Sequence, residues 1–123
     1  MELNEITEKV IGCAIKVHRA LGPGLLESTY EVCLAHELVK EGLKVKTQVA
    51  LPVIYDGLRL DAGYRIDVLV EDAVIVELKS IESLHPIHEA QVISYLKLSG
   101  KKIGLLINFN VKLLKSGIKR LVN

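Results

Sequence analysis

The chain has 123 residues, of which half are hydrophobic and a quarter charged, enough to bury the core of one domain spanning residues 1–123. Its formal net charge is only +1, whereas a protein that grips duplex DNA by electrostatics alone is usually far more basic. The absence of Trp and the single Phe argue against a base-stacking platform for single strands.

Two helices open the predicted fold. The first runs from a cap at Asn4 to about Ala20, and the second follows a Gly-Pro-Gly break and runs from about Leu25 to Lys40, with Gly42 as its stop. Their apolar residues keep helical spacing and predict two buried stripes: Ile6, Val10, Cys13, Ala14 and Val17, then Leu26, Tyr30, Cys33, Leu34 and Leu38.

Strand patterns follow the second helix, with a hairpin turn at Asp56-Gly57. The predicted strands are residues 43–51, which 53–55 continue up to the turn, and then 58–70, 74–80 and 102–108. Pro86 opens a third helix that ends near Ser99, and the tail over 111–122 fits either a short helix or a short edge strand. The order α-α-β-β-β-α-β predicts an α+β or mixed α/β domain with one central sheet flanked by helices.

The termini and cysteines indicate the compartment. Glu2, Glu5 and Glu8 stand where a secretory signal would be basic and then apolar, and no apolar run is long enough to span a bilayer. Cys13 and Cys33 lie on predicted helix faces without a CxxC motif, so we expect reduced thiols and no structural zinc. These features predict a cytoplasmic protein without a membrane segment.

The most informative segment is YRIDVLVEDAVIVELKS, residues 64–80. It places Asp67, Glu77 and Lys79 within apolar strands, where a charge is costly unless it is paired or holds a metal. Two acids beside a lysine suggest a divalent-metal site that hydrolyses a phosphodiester, and Mg²⁺ or Mn²⁺ is the expected ion.

The loop between these strands decides whether the acids meet. Strand alternation puts Glu77 and Lys79 on one face. A two-residue loop would set Asp67 opposite Val76, with the carboxylates on opposite faces, whereas a three-residue loop over 71–73 sets Asp67 opposite Glu77. The metal-site interpretation therefore predicts an odd-numbered loop or a bulge.

The same register places Arg65 across from Lys79, which suits the docking of an anionic phosphate. The alternative is a solvated strand face on which Arg65, Asp67, Glu77 and Lys79 form cross-strand ion pairs. Spacing alone does not separate the two interpretations, but the flanking apolar residues favour central strands.

With these residues, the chain resembles the PD-(D/E)XK nuclease superfamily, whose fold is also called restriction-endonuclease-like, and more closely the small GxxExxY family within it. The Gly-xx-Glu-xx-Tyr motif that gives this family its name is present here as Gly24, Glu27 and Tyr30 within LGPGLLESTYE. A second matching segment is the one over residues 64–80. In the third, HEAQVISYLK, Gln91 and Tyr95 match a Gln-xxx-Tyr motif of the exonuclease-like branch. GLLINFN resembles the last core strand, and Ile66 stands where the superfamily's name has proline.

The resemblance implies a role for each acidic residue. Asp67 and Glu77 would ligate the metal together with the main-chain carbonyl of Leu78, and Glu27 would complete the acidic cluster. Lys79 would activate the attacking water or stabilise the charge that builds on the phosphorus centre. The alternative for Glu27 is an acid in the first helical turn that complements the helix dipole.

The third helix would supply the substrate contacts. Gln91 and Tyr95 are four residues apart on one helix face, and with Arg65 they would bind substrate or position Lys79; ordinary helix surface is the alternative. His88 on the same face is expected to be a surface residue at the helix start. The other histidines are also expected at the surface: His18, His36 and His85.

Together these observations predict a metal-dependent nuclease acting on nucleic acid, with DNA favoured over RNA. The alternative is a catalytically silent nucleic-acid-binding or scaffold module that keeps the fold; small size and near-zero charge favour it, whereas the intact acid and lysine set favours the nuclease. A small phosphoesterase is a third candidate. We expect a homodimer or a protein partner to widen the short basic surface.

Overall fold

The computed structural model describes all of residues 1–123. Its elements are α1 (Leu3–Leu21), α2 (Glu27–Lys40), β1 (Val45–Ala50), β2 (Val53–Tyr55), β3 (Leu58–Leu60), β4 (Arg65–Val70), β5 (Val74–Lys79), α3 (Pro86–Ser99), β6 (Ile103–Asn108), a 3-10 helix (Leu114–Gly117) and β7 (Ile118–Val122). A five-stranded sheet has the order β1-β4-β5-β6-β7, in which only β5 and β6 run parallel, and β2 and β3 form a separate hairpin. The mixed sheet with helices on both faces confirms the predicted α+β class. None of the helices combines the length and hydropathy that a bilayer span requires.

The sheet face that carries α1 and α2 holds the larger core, with 19 buried residues. All five residues predicted for the α1 stripe are buried, and so are Tyr30, Leu34 and Leu38 of α2. Leu26 is 73% exposed, and its prediction as a core residue was wrong. Its backbone is still extended, because α2 begins one residue later, so its side chain does not share the inward face of the helix. Cys33 is half-buried, and neither cysteine is in a disulfide.

The opposite face carries α3 and a smaller core of eight buried residues. Val92 and Leu96 of α3 pack here on the central strands. The helix approaches β6 closely at Gly104, where a Cβ atom would lie 2.8 Å from Cγ1 of Val92. A glycine at this point therefore permits the close contact between helix and strand.

Several predicted boundaries are corrected by the structure. α1 begins at Leu3, and Glu5 accepts the N–H of Glu2, while the side chain of Asn4 accepts a hydrogen bond from Arg120 instead of capping the helix. The single strand expected over 58–70 is two strands, β3 and β4, because residues 61–64 between them are not in strand conformation and Gly63 has a φ of +84°. The ambiguous tail contains both alternatives, a 3-10 helix and an edge strand.

His18 is buried, contrary to its predicted place at the surface. Its ring Nε2 lies 2.7 Å from the carbonyl oxygen of Val111, so the imidazole holds the C-terminal segment against α1. His36 and His85 are exposed as expected, and His88 is half-buried.

Candidate active site

The loop between β4 and β5 has three residues, as the metal-site interpretation requires. The ladder pairs Val68 with Val76 and Val70 with Val74, so the next positions along it are Asp67 and Glu77. Within the loop over 71–73, the first two residues have left-handed backbones, each with φ of +53°, which makes the turn tight. The two acids therefore come from neighbouring strands and lie on one face.

At these acids the backbone ladder between β4 and β5 stops. The N–H of Asp67 donates to Oε1 of Glu77 at 3.0 Å, and the N–H of Leu78 donates to Oδ2 of Asp67 at 2.9 Å. Each carboxylate thus takes a main-chain donor from the opposite strand. Beyond this point the N-terminal end of β4 pairs only with β1, and the C-terminal end of β5 only with β6. The sheet divides where the two carboxylates lie.

The division separates Arg65 from Lys79, which the sequence placed opposite each other. Arg65 pairs with Ala50 of β1, its side chain is exposed, and Nη1 donates to the carbonyl oxygen of Gln48 at 3.4 Å. The prediction of a cross-strand pair of cations was wrong in this respect, because the carboxylates hold the two strands apart before the ladder reaches these residues.

Glu77 is the buried member of the acidic pair, with 5% of its surface exposed. Burial first, and the negative charge of Asp67 second, raise the pKa of Glu77 to about 8. Burial and the negative charges of Glu77 and Asp67 also raise the pKa of Tyr95, an α3 residue in the smaller core. With the pKa of Glu77 at about 8, the acid pair keeps one proton at neutral pH, and a bound cation would favour the form with both carboxylates charged.

Lys79 ends β5, and its backbone is fixed from both sides. It pairs with Asn108 in the parallel ladder, and its carbonyl oxygen accepts the N–H of Phe109 at 2.9 Å. The buried Asn108 side chain also holds the following loop, because it accepts the N–H of Ile81 and donates to its carbonyl oxygen. The strand end that carries the lysine is therefore rigidly placed.

Lys79 lines a cleft of about 360 Å³ beside α3. The polar residues that line it with the lysine are His88, Gln91 and Ser94. Gln91 Nε2 lies 3.5 Å from the hydroxyl of Tyr95, so the predicted Gln-xxx-Tyr pair is in contact. The structure thus brings the lysine, the glutamine and the tyrosine to the same side of the sheet as Glu77.

Glu27 lies apart from the acidic pair, exposed at the first residue of α2. The hydroxyl of Ser80 donates to the carbonyl oxygen of Leu25 at 2.6 Å and ties the end of β5 to the segment before α2. No three side chains of His, Cys, Asp or Glu converge within reach of one metal ion. The donors that the structure does bring together are the oxygens of Asp67 and Glu77, and oxygen is the donor that Mg²⁺ and Mn²⁺ accept. This pair fits a divalent ion of that class.

Two residues at the site were missed by the sequence analysis. Nε2 of Gln48 donates to Oε1 of Glu31 at 2.7 Å and lies 3.4 Å from Oδ1 of Asp67. Burial raises the pKa of Glu31, and the charges of Asp67 and Glu27 add to the shift. Glu31 could have been found, because it lies four residues after Glu27 on the same helix face. Gln48 lies within the predicted strand over 43–51, and nothing in the sequence marks it as a functional residue.

The sequence of the whole domain indicates the family. A family model described as the PD-(D/E)XK nuclease superfamily matches residues 4–121, from α1 to β7. The chain belongs to this superfamily. PD-(D/E)XK nucleases generally use divalent metal ions, and the superfamily implies a nucleic-acid substrate. The fold of this PD-(D/E)XK protein is accordingly restriction-endonuclease-like. No curated protein and no solved structure gives a significant match.

Proposed function

We propose that this PD-(D/E)XK protein is a metal-dependent nuclease that hydrolyses phosphodiester bonds with Asp67, Glu77 and Lys79. The observation that carries the proposal is the meeting of the two carboxylates where the sheet divides, with Lys79 two residues further along the same face. A loop one residue shorter would have turned Asp67 to the opposite face, so the register is informative.

In this proposal Asp67 and Glu77 hold Mg²⁺ or Mn²⁺, with the carbonyl oxygen of Leu78 as a further donor. Once bound, the ion neutralises phosphate charge and supplies an activated water. The Lys79 ammonium, at the mouth of the cleft, orients the attacking water and stabilises the charge that builds on the phosphate oxygens. Glu27 would extend the acidic cluster from the start of α2, across the segment that Ser80 ties to β5.

Substrate would enter along the cleft beside α3. Gln91 lines this cleft and contacts Tyr95, and Arg65 adds a cation at the start of β4. We further propose DNA over RNA as the substrate, a homodimer or protein partner that widens the basic surface, and the cytoplasm as the compartment. In the same proposal, residues 1–123 form one domain of the GxxExxY family, because its Gly-xx-Glu-xx-Tyr motif is present in the loop and first turn that lead into α2.

A catalytically silent module that binds nucleic acid or a protein partner is the second candidate. The net charge of +1 favours this candidate. A chain with so little positive charge attracts nucleic-acid phosphates only weakly, which is a disadvantage for a nuclease that acts without a partner.

Cleavage of labelled single- and double-stranded DNA and RNA, with Mg²⁺ or Mn²⁺, separates the two candidates. We expect at least one substrate to be cut, and Lys79→Ala to slow the cutting by on the order of a hundredfold. Lys97→Ala removes an exposed lysine from the same half of the fold and is the matched control. Cleavage that survives Lys79→Ala at the wild-type rate would refute the mechanism, and metal binding without any cleavage would favour the silent module.

A further inference from the structure

Gln48 has an unusual backbone for a residue in the middle of a strand. Its φ is +52°, in the left-handed region that glutamine rarely adopts. The ladder between β1 and β4 pairs Thr47 with Val68 and Val49 with Ile66, but the pair between them is missing. The other non-glycine residues with positive φ all lie in turns: Asp56, Glu71 and Asp72.

The residue that Gln48 should pair with is Asp67. The two oxygens of this carboxylate face different partners: Oδ2 accepts the N–H of Leu78, and Oδ1 faces Nε2 of Gln48 at 3.4 Å. The same nitrogen donates to Oε1 of Glu31 at 2.7 Å. Because a side-chain amide has two N–H donors, one glutamine bridges both carboxylates. It therefore links α2 to the acidic pair.

We propose that Gln48 is a positioning residue that, held by Glu31, fixes the side-chain rotamer of Asp67 for metal binding. This inference rests on the proposed function, and it assigns to Gln48 and Glu31 a part in it. The local backbone is abnormal at the one strand position that carries the bridging amide. Strain of this kind persists where the surrounding structure imposes it, and it is found at functional sites.

The amide also separates two negative groups. Glu31 and Asp67 come from α2 and β4, and their charges oppose each other. Without the amide between them, the aspartate has no side-chain partner at Oδ1 and is held at Oδ2 alone, by the N–H of Leu78. Glu31 keeps the amide in place through the shorter of the two hydrogen bonds.

The test uses the full chain with Gln48→Gly, a change that removes the amide but relieves the left-handed backbone. A merely structural role predicts unchanged or higher melting temperature and unchanged metal affinity. We expect instead that Mn²⁺ binds on the order of tenfold more weakly by calorimetry, although the metal-free melting temperature does not fall. Asp56→Gly relieves the same backbone conformation in the exposed hairpin turn and is the matched control, with unchanged Mn²⁺ affinity.

A second readout needs no metal. Three-bond couplings of the Asp67 Cβ protons, measured by NMR, should report one rotamer in wild type and averaging in Gln48→Gly, and Glu31→Ala should have a smaller effect of the same kind. Two results would overturn the positioning role: Asp67 couplings that are unchanged in Gln48→Gly, or a wild type that binds Mn²⁺ and a Gln48→Gly variant whose affinity is within twofold of it. If the couplings average but wild type takes up no Mn²⁺, the positioning of Asp67 stands and the proposed function fails.

Discussion

The two faces of the central sheet are built for different purposes. The face under α1 and α2 is closed by 19 buried residues, and the face under α3 by only eight. Glu77 and Lys79 continue the line of Ile75 on the α3 face, at the point where its apolar contacts end. The larger core is thus separated by the thickness of the sheet from the charged residues. Most of the apolar burial lies on the opposite side of the strands from Glu77 and Lys79, and α2 reaches the site through Glu31 and Gln48.

This division explains how buried charges are tolerated. An acid pair is costly in free energy, and β4 and β5 can carry it because their other faces are anchored by Val68, Val76 and Leu78 in the larger core. Substitutions on the two faces should therefore have different effects: those in the larger core on stability, and those on the α3 face on the activity of the site.

The largest effect should come from the larger core. Leu34→Ala removes a fully buried side chain of α2, and we expect the free energy of unfolding to fall by about 2–5 kcal/mol in chemical denaturation. Leu26→Ala, at an exposed leucine just before the same helix, should change it by less than about 0.5 kcal/mol. Equal effects of the two substitutions would contradict the assignment of the core.

Glu77 should make stability depend on pH in an unusual direction. Its pKa is near 8 in the folded protein and near the ordinary 4.5 when unfolded. Between these values the folded state keeps a proton that the unfolded state releases, so the free energy of unfolding falls as pH rises through this window. Glu77→Gln should remove this slope and, in metal-free buffer at pH 9, be more stable than wild type by on the order of 5 kcal/mol. A wild-type slope that persists in the variant would place the titrating group elsewhere.

Divalent metal should stabilise the α3 face. At a concentration of Mn²⁺ about a hundredfold above its Kd, binding to the folded state adds about 2.7 kcal/mol, seen as a higher melting temperature. Asp67→Ala should abolish the increase. An equal increase in that variant would show that the ion binds away from the acidic pair.

The smallest effect is expected at the exposed end of β4. Arg65→Ala should weaken nucleic-acid binding a few-fold, uniformly across sequences, and lower the slope of log affinity against log salt by about 1. Fluorescence anisotropy at several salt concentrations measures both. Arg59→Ala, in the separate hairpin, serves as the control and should leave the slope unchanged. An unaltered slope in Arg65→Ala would remove this residue from the phosphate contacts.

Much of the fold followed from local patterns in the sequence. Pro86 and Gly100 marked the limits of α3, and Asp56-Gly57 marked the hairpin turn, because these residues favour the required backbone angles by themselves. The register of Asp67 against Glu77 followed only from the metal-site interpretation, which required an odd-numbered loop or a bulge, and the three-residue loop agrees with it.

What was missed depends on contacts between distant segments. Gln48 is significant only because β1 lies beside β4, and His18 is buried only because Val111 returns to its ring. The separation of Arg65 from Lys79 likewise arises from carboxylates that replace ladder hydrogen bonds, which no rule of alternation anticipates.

The width of the cleft beside α3 depends on the absence of a Cβ atom at Gly104. Because Gly104 has no side chain, Val92 rests almost on the backbone of β6, and this sets how deeply α3 sits. A single methyl group there would force the helix outward, and with it the wall formed by His88 and Gln91, away from Lys79. Gly104 thus acts as the spacer that determines how closely Lys79 and its facing helix approach.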